Sequence, residues 1–358
     1  MAHPFSRRHF LVAGTGSLLA SAASWAAQAP APLPQPIEPN TRRSRVSLIR
    51  GEDRRKNIYE SLKAIDDQIR PVLRNRKYVV IKPNNVSTVN QLAATHADTL
   101  RAILDYVTER FRGPVIIAES SAGDTMQGFE NFRYTALPGE YKSRKIDLID
   151  LNKEAKYELV SVLDANLHPT PVRLAARLLD PDAFVISAGC LKTHNVVVAT
   201  LGIKNMTLGA PLHQPPGETK RWNDKRKYHG GVRQTHYDIM VTAQRMWNNM
   251  NLDVIDGYEG MEGNGPSQGT PVPSRVAIAS TDFVAADRVG VEAMGIDAGY
   301  PGYLLYCWQS GLGQYEMDKL DIVGESIASV KKPYRLHGDL ERQLQWRGVM
   351  EELPPKLG

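Results

Sequence analysis

The stretch VVIKPNNVSTVNQLAATHADTLRAILDYVTERFRGPVIIAESSAG, residues 79–123, decides the fold class. Val79-Val80-Ile81 is a β-branched run ending at Lys82-Pro83-Asn84-Asn85, and Ala97 to Phe111 follows with Leu100, Ile103, Leu104, Val107 and Phe111 on one helical face. Gly113-Pro114 stops that helix, and Val115-Ile116-Ile117-Ala118 is the next strand, closing on Glu119-Ser120-Ser121-Ala122-Gly123. Outward from it the pattern recurs at Ala183–Ser187, at Leu252–Asp256 and at Val276–Ala279, the last followed by Ser280-Thr281-Asp282. Near-continuous apolar strands separated by helices predict an α/β fold: a parallel or mixed central sheet with helices on both faces, as one body or two intimately joined lobes. Ligands of such sheets bind outside the carboxyl ends of the strands, which gathers Lys82, Glu119, Lys192, His194, Asp256 and Asp282 onto one expected rim.

The segment CLKTHNVVVATLGIKNM, residues 190–206, sets Lys192, His194 and Lys204 into an otherwise apolar run. Lysines at strand ends bind carboxylate or phosphate, and a desolvated lysine becomes a base or nucleophile. His194 titrates near neutrality and suits proton transfer. Lys82 directly follows its strand, Pro83 fixes the chain beyond it, and Asn84 offers amide groups either to a ligand or to its own loop. Glu119 could be a base, a metal ligand or a helix-capping acid. Asp256 to Pro266 carries three acids and four glycines and reads as a loop, with Asp256 and Glu262 as candidate metal ligands. No GxGxxG, Walker-type or EF-hand spacing is present, and the six histidines between His96 and His236 make no zinc-protease pair. Of these, His229 beside Gly230-Gly231 is a candidate substrate contact.

The chain opens MAHPFSRRHFLVAGTGSLLASAASWAAQA, a twin-arginine pattern followed by a small-residue apolar stretch and an Ala-Gln-Ala end. Residues 1–29 therefore read as a removable export signal, too short and small-residue-rich for a stable membrane span. Residues 30–44 read as a proline-rich linker, 45–330 as one large α/β catalytic-type domain and 331–358 as a C-terminal extension. Removing the signal takes Arg7 and Arg8 and no acid, so the formal charge falls from +5 to +3. So small an excess, spread among acids, argues against nucleic acid as a partner. The basic run Lys220, Arg221, Lys225, Arg226, Lys227 is the local exception and reads first as a solvated loop. Two cysteines, Cys190 and Cys307, are too few for a four-cysteine iron–sulfur cluster.

Taken together, Lys82-Pro83-Asn84, Lys192-Thr193-His194, Ile203-Lys204-Asn205-Met206 with Gly209, and Asp256 with Gly260-Met261-Glu262-Gly263 and Gly265-Pro266 resemble the family known as domain of unknown function 362, from about Val79 to Gly324. A more distant resemblance links His194, Gly202, Lys204 and the Gly209-Ala210-Pro211 segment to the nickel-pincer lactate racemases. That resemblance implies a covalently attached cofactor, or a metal, at Lys204 and an acid–base role for His194.

These readings converge on an exported, periplasmic, cofactor- or metal-dependent enzyme acting on a small polar or anionic molecule. The reaction expected is redox or racemisation at a hydroxy-acid or sugar carbon. His194, Lys192, Lys204 and Glu119 are its expected catalytic residues, and Lys82, Asn84, Asn205 and His229 its expected substrate contacts. Its expected partners are that small molecule and the twin-arginine export machinery. The alternative is a non-catalytic periplasmic carrier of an anionic solute or metal, which does not need so many paired acids and bases.

Overall fold

A computed structural model describes residues 42–215 and 217–348. The expected signal and most of the linker lie outside the described residues, as do residues 349–358. Twelve strands are present among the described residues: β1 Ser44–Arg50, β2 Tyr78–Pro83, β3 Val115–Glu119, β4 Ile146–Asp150, β5 Tyr157–Leu163, β6 Pro169–Ala175, β7 Ala183–His194, β8 Val198–Thr200, β9 Leu252–Glu262, β10 Thr270–Val272, β11 Val276–Ser280 and β12 Leu320–Gly324. Ten form one sheet in the order β12-β1-β11-β9-β7-β2-β3-β4, with β8 and β10 added to β7 and β9, while β5 and β6 pair separately. Strands β9, β7, β2, β3 and β4 are mutually parallel, and β11 runs antiparallel between β9 and β1. The fold is α/β with a mixed central sheet, as the alternation of strand and helix predicts.

Side chains alternate between two apolar layers, as the two-residue period of a strand requires. Val80, Ile116, Val185, Ile255 and Ile278 enter one layer, whereas Val79, Ile81, Val115, Ile117, Phe184, Ile186, Val254 and Ala277 enter the other. The second layer is covered by α1 (Arg54–Lys63), α2 (Asp66–Leu73), α3 (Ala97–Arg110) and α4 (Thr125–Asn131). Ile58, Ile69, Leu100, Leu104 and Phe129 of these helices are buried there. The first layer is covered by α5 (Gly202–Gly209), α6 (Val232–Met246), α7 (Phe283–Ala293) and α8 (Gly302–Gln309), through Met206, Ile239, Val289 and Leu304. Residues 331–348 pack on the same body, with Tyr334 and Trp346 buried, Tyr334 Oη 2.8 Å from Ser274 Oγ and Trp346 Nε1 donating to Tyr300 O.

Two expectations are corrected. Asp282 is not on the rim with Lys82, because β11 is antiparallel to β9 and carries its carboxyl end to the opposite edge. There Asp282 caps α7, accepting from Ala285 N at 3.1 Å. Residues 257–262 are strand rather than loop: β9 continues past Asp256, paired with β10 on one side and beside Lys192 of β7 on the other. Its glycines serve close packing, since a Cβ on Gly257 would lie 2.4 Å from Leu191 Cδ1 and one on Gly260 2.0 Å from Tyr334 Oη.

Candidate functional site

Strand β7 is twelve residues long and outruns β2, whose pairing with it ends at Pro83↔Ala188. Its projecting end folds back through β8, and α5 follows directly. The ends of β2, β3 and β7 and helix α5 thus surround a cavity of about 70 Å³. Lys82, Lys192, Lys204 and Lys225 line it, with Asn84, Asn85, Ser120 and Thr200, and Glu119 is the one carboxylate in that lining.

The lysines are not equivalent. Lys82, fully buried, donates from Nζ to Glu119 Oε2 at 3.0 Å, Asn205 Oδ1 at 3.1 Å and Pro83 O at 3.0 Å. Lys192 donates to Asn84 Oδ1 and to Ala93 O. Lys225 arrives from the 3₁₀ turn Asp224–His229 and donates to Ser120 Oγ at 2.9 Å and to the carbonyls of Leu208 and Gly209. Lys204 is only 8% exposed and has no hydrogen-bond or ion-pair partner among the described residues. Burial lowers Lys204 to about 7, and the charges of Lys192, Lys225 and Lys82 push it the same way. Lys192 is lowered to about 8 and Lys225 to about 7, in both cases mainly by burial.

Helix α5 orders these charges. The amides of Gly202 and Ile203 at its start donate to the Asp287 carboxylate, and its last carbonyls receive Lys225. Lys204 sits in the first turn, where the helix dipole disfavours an ammonium. Beneath Gly202 lies Asp253, so close that a Cβ there would be 1.8 Å from its Oδ2. Burial raises both Asp253 and Asp287 above the ordinary carboxylate range, and the charge of Asp287 raises Asp253 further.

Of the expected site residues, Lys82, Asn84, Glu119, Lys192 and Lys204 meet at the cavity. Asn205 stands behind it, accepting from Lys82 and from Asn84 Nδ2 while donating to Ser187 Oγ. His194 is buried and outside the lining, its Nδ1 accepting from Val196 N at 3.0 Å and Val197 N at 3.3 Å, which places the neutral ring's proton on Nε2. Burial, then Lys204, holds it well below the usual histidine value. His229 is exposed, beside Lys225 O at 3.0 Å. Asp256 and Glu262 are not brought together: six residues apart on β9, they are separated by ~20 Å of extended chain. Asp256 is engaged by Thr99 Oγ1 at 2.5 Å and Arg54 at 3.2 Å, and Glu262 by Arg335 N at 2.8 Å. No group of three or more His, Cys, Asp or Glu with metal-holding geometry occurs among the described residues. Cys190 and Cys307 are both buried free thiols.

Lys225 and Thr200 are lining residues that the sequence did not single out, whereas Asn85 and Ser120 belong to the loops that follow Lys82 and Glu119. Lys225 lay in a basic run that reads as solvated; the signal available was Asn223, whose side chain caps the turn and fixes where that lysine goes. Asn85 Nδ2 and Thr200 Oγ1 are buried without hydrogen-bond partners among the described residues. Both residues belong to the cavity's lining. The cavity is a fraction of the ~300 Å³ or more of pockets that hold drug-sized ligands. A nicotinic-acid-derived pincer on Lys204 does not fit it.

A sequence profile described as domain of unknown function (DUF362) matches residues 79–292. A thylakoid-associated protein, sll1697, of Synechocystis sp. is 29% identical over 126 residues, which are 35% of this chain and 36% of that protein. The match therefore spans little more than a third of the curated relative. A crystal structure of a Thermotoga maritima protein aligns with a TM-score of 0.40 at 12% identity, covering 72% of this chain and 58% of that one.

Proposed function

The chain belongs to the DUF362 family, and from that premise we propose that it is an enzyme whose lysine-lined cavity binds a small carboxylate- or phosphate-bearing molecule, with Lys204 as the reacting group. One observation carries the reading: four lysines line one cavity whose lining holds a single carboxylate, Glu119. Such a cluster is mutually repulsive and poorly solvated, and an oxyanion supplies the countercharge together with an acceptor for Lys204. A purely structural role would leave four buried or half-buried lysines with one acid between them, an arrangement that desolvation penalises.

The reaction class we propose is the one implied by the racemase resemblance, proton or hydride movement at a hydroxy-acid or sugar carbon, without that family's pincer group. We also propose that the amino-terminal twin-arginine segment directs the folded chain to the periplasm. The thylakoid association in a relative's name is a property of that protein.

Calorimetric titration of the full chain with inorganic phosphate and with lactate tests the binding. Saturable binding should weaken ~10- to 100-fold in Lys204→Ala, the loss expected for one charged hydrogen bond of about 1.5–3 kcal/mol, with little change in Tm. A large fall in Tm with binding unchanged would instead make the lysines a structural network. Binding with no turnover of any hydroxy or oxo acid would assign the protein as a carrier.

A further inference from the structure

Three of the cavity's lysines are fixed in place by oxygen acceptors: Lys82 by Glu119, Asn205 and Pro83 O, Lys192 by Asn84 and Ala93 O, and Lys225 by Ser120, Leu208 O and Gly209 O. The fourth, Lys204, has no acceptor among the described residues, sits at the positive end of α5 and is surrounded by the other three. The two kinds of lysine suit two halves of one ligand. Lysines fixed in place are donors that hold a carboxylate, which in turn favours their charged form, and an unheld amine beside them attacks an electrophile. We infer that the substrate is a small carboxylic acid bearing a carbonyl group, a 2-oxo acid or aldehyde acid, and that Lys204 forms an imine with that carbonyl.

This inference rests on the anion-binding reading above and adds the substrate's second functional group. The step balances without an oxidant. The Nζ lone pair attacks the carbonyl carbon, a C–N bond forms, and the C=O π pair moves to oxygen. The protons of the amine pass to that oxygen, the C–O bond breaks, and water leaves, so that amine plus carbonyl becomes imine plus water. Burial lowers Lys204 to about 7, so a large share of it is the free amine near neutral pH. The volume of about 70 Å³ admits an acid of a few heavy atoms. Once protonated, the imine draws electrons from the adjacent carbon, the activation that breaking a C–H or C–C bond there needs. Oxo acids are the oxidised partners of hydroxy acids, so the reaction class that supplies this ligand is hydroxy-acid oxidation.

The test is reductive trapping of the full chain with pyruvate, and separately with uncharged acetone, in sodium cyanoborohydride, followed by peptide mapping. Lys204 should gain the mass of pyruvate less one oxygen atom at least tenfold faster than any exposed lysine. Acetone should label it far more slowly, and saturating lactate should block the pyruvate reaction. If lactate binds in the cavity but Lys204 is labelled no faster than exposed lysines, the imine is refuted and the anion reading stands. If acetone labels Lys204 as fast as pyruvate does, and lactate neither binds nor protects, the amine is reactive but the carboxylate half fails together with the anion reading. If lactate does not bind and Lys204 is not labelled, both are refuted.

Discussion

At the scale of the residue, burial determines what each charge at this site can do. Lys82 and Glu119 form a contact at 3.0 Å with side chains 0% and 3% exposed, and Glu119 also accepts from the amides of Asn85 and Ser120. Burial lowers Lys82, while the charge and hydrogen bond of Glu119 act against it. Replacing the carboxylate by an amide of the same shape leaves that ammonium without a countercharge. Glu119→Gln should therefore cost about 3–5 kcal/mol in chemical denaturation, the usual penalty for breaking a buried pair. A cost below ~1 kcal/mol would mean that Lys82 is neutral in the native protein. Lys82, Glu119 and Lys192 were legible in the sequence because each interrupts or ends a strand-like apolar run. Lys225 was not, because nothing in a run of basic residues says which one turns inward.

At the scale of the element, α5 is the part on which the site depends. Its first amides are met by Asp287 and its last carbonyls by Lys225, so both ends of an eight-residue helix are tied to charges. Gly209 lies against the Lys82 ammonium: a Cβ would stand 2.2 Å from Nζ and 2.4 Å from Cε. Gly209→Ala must push Lys82 aside, and it should destabilise by ~1–3 kcal/mol while weakening phosphate binding. Gly139→Ala is the control, because nothing lies within 4 Å of the added carbon. Equal thermal shifts in the two variants would show that Lys82 yields without cost. Gly202 is there for the Asp253 carboxylate packed under it, a neighbour fifty-one positions away that no local pattern predicts.

At the scale of the whole molecule, the lysine cavity couples stability to pH and to ligand. A lysine lowered on folding binds fewer protons in the native state than in the unfolded chain, so stability rises with pH between the folded and unfolded values. Lys192, Lys204 and Lys225, at about 8, 7 and 7 against 10.5, place that window above neutrality. Without ligand, Tm should rise by roughly a few degrees from about pH 7 to about pH 9. Saturating phosphate should flatten or reverse the slope, because an anion favours the charged lysines and stabilises more at the lower pH. Scanning calorimetry at both pH values, with and without phosphate, checks this. A Tm that falls over the window without ligand contradicts it.

The sequence by itself determined the α/β class, the two-faced burial of the strands and the strand-end lysines, since these follow from local periodicity and from charges placed inside apolar runs. Only the tertiary structure decided the rest. The antiparallel insertion of β11 removed Asp282 from the rim, and the pairing of β9 with β7 and β10 made a strand of an apparent loop. Packing of α5 and the Asp224–His229 turn over the ends of β2 and β3 brought Lys204 and Lys225 to Lys82 and Lys192. The physical reason is one of range: apolar periodicity is written in residues a few positions apart. Which lysine keeps an acceptor and which is left without one depends on oxygens contributed by segments more than a hundred positions away.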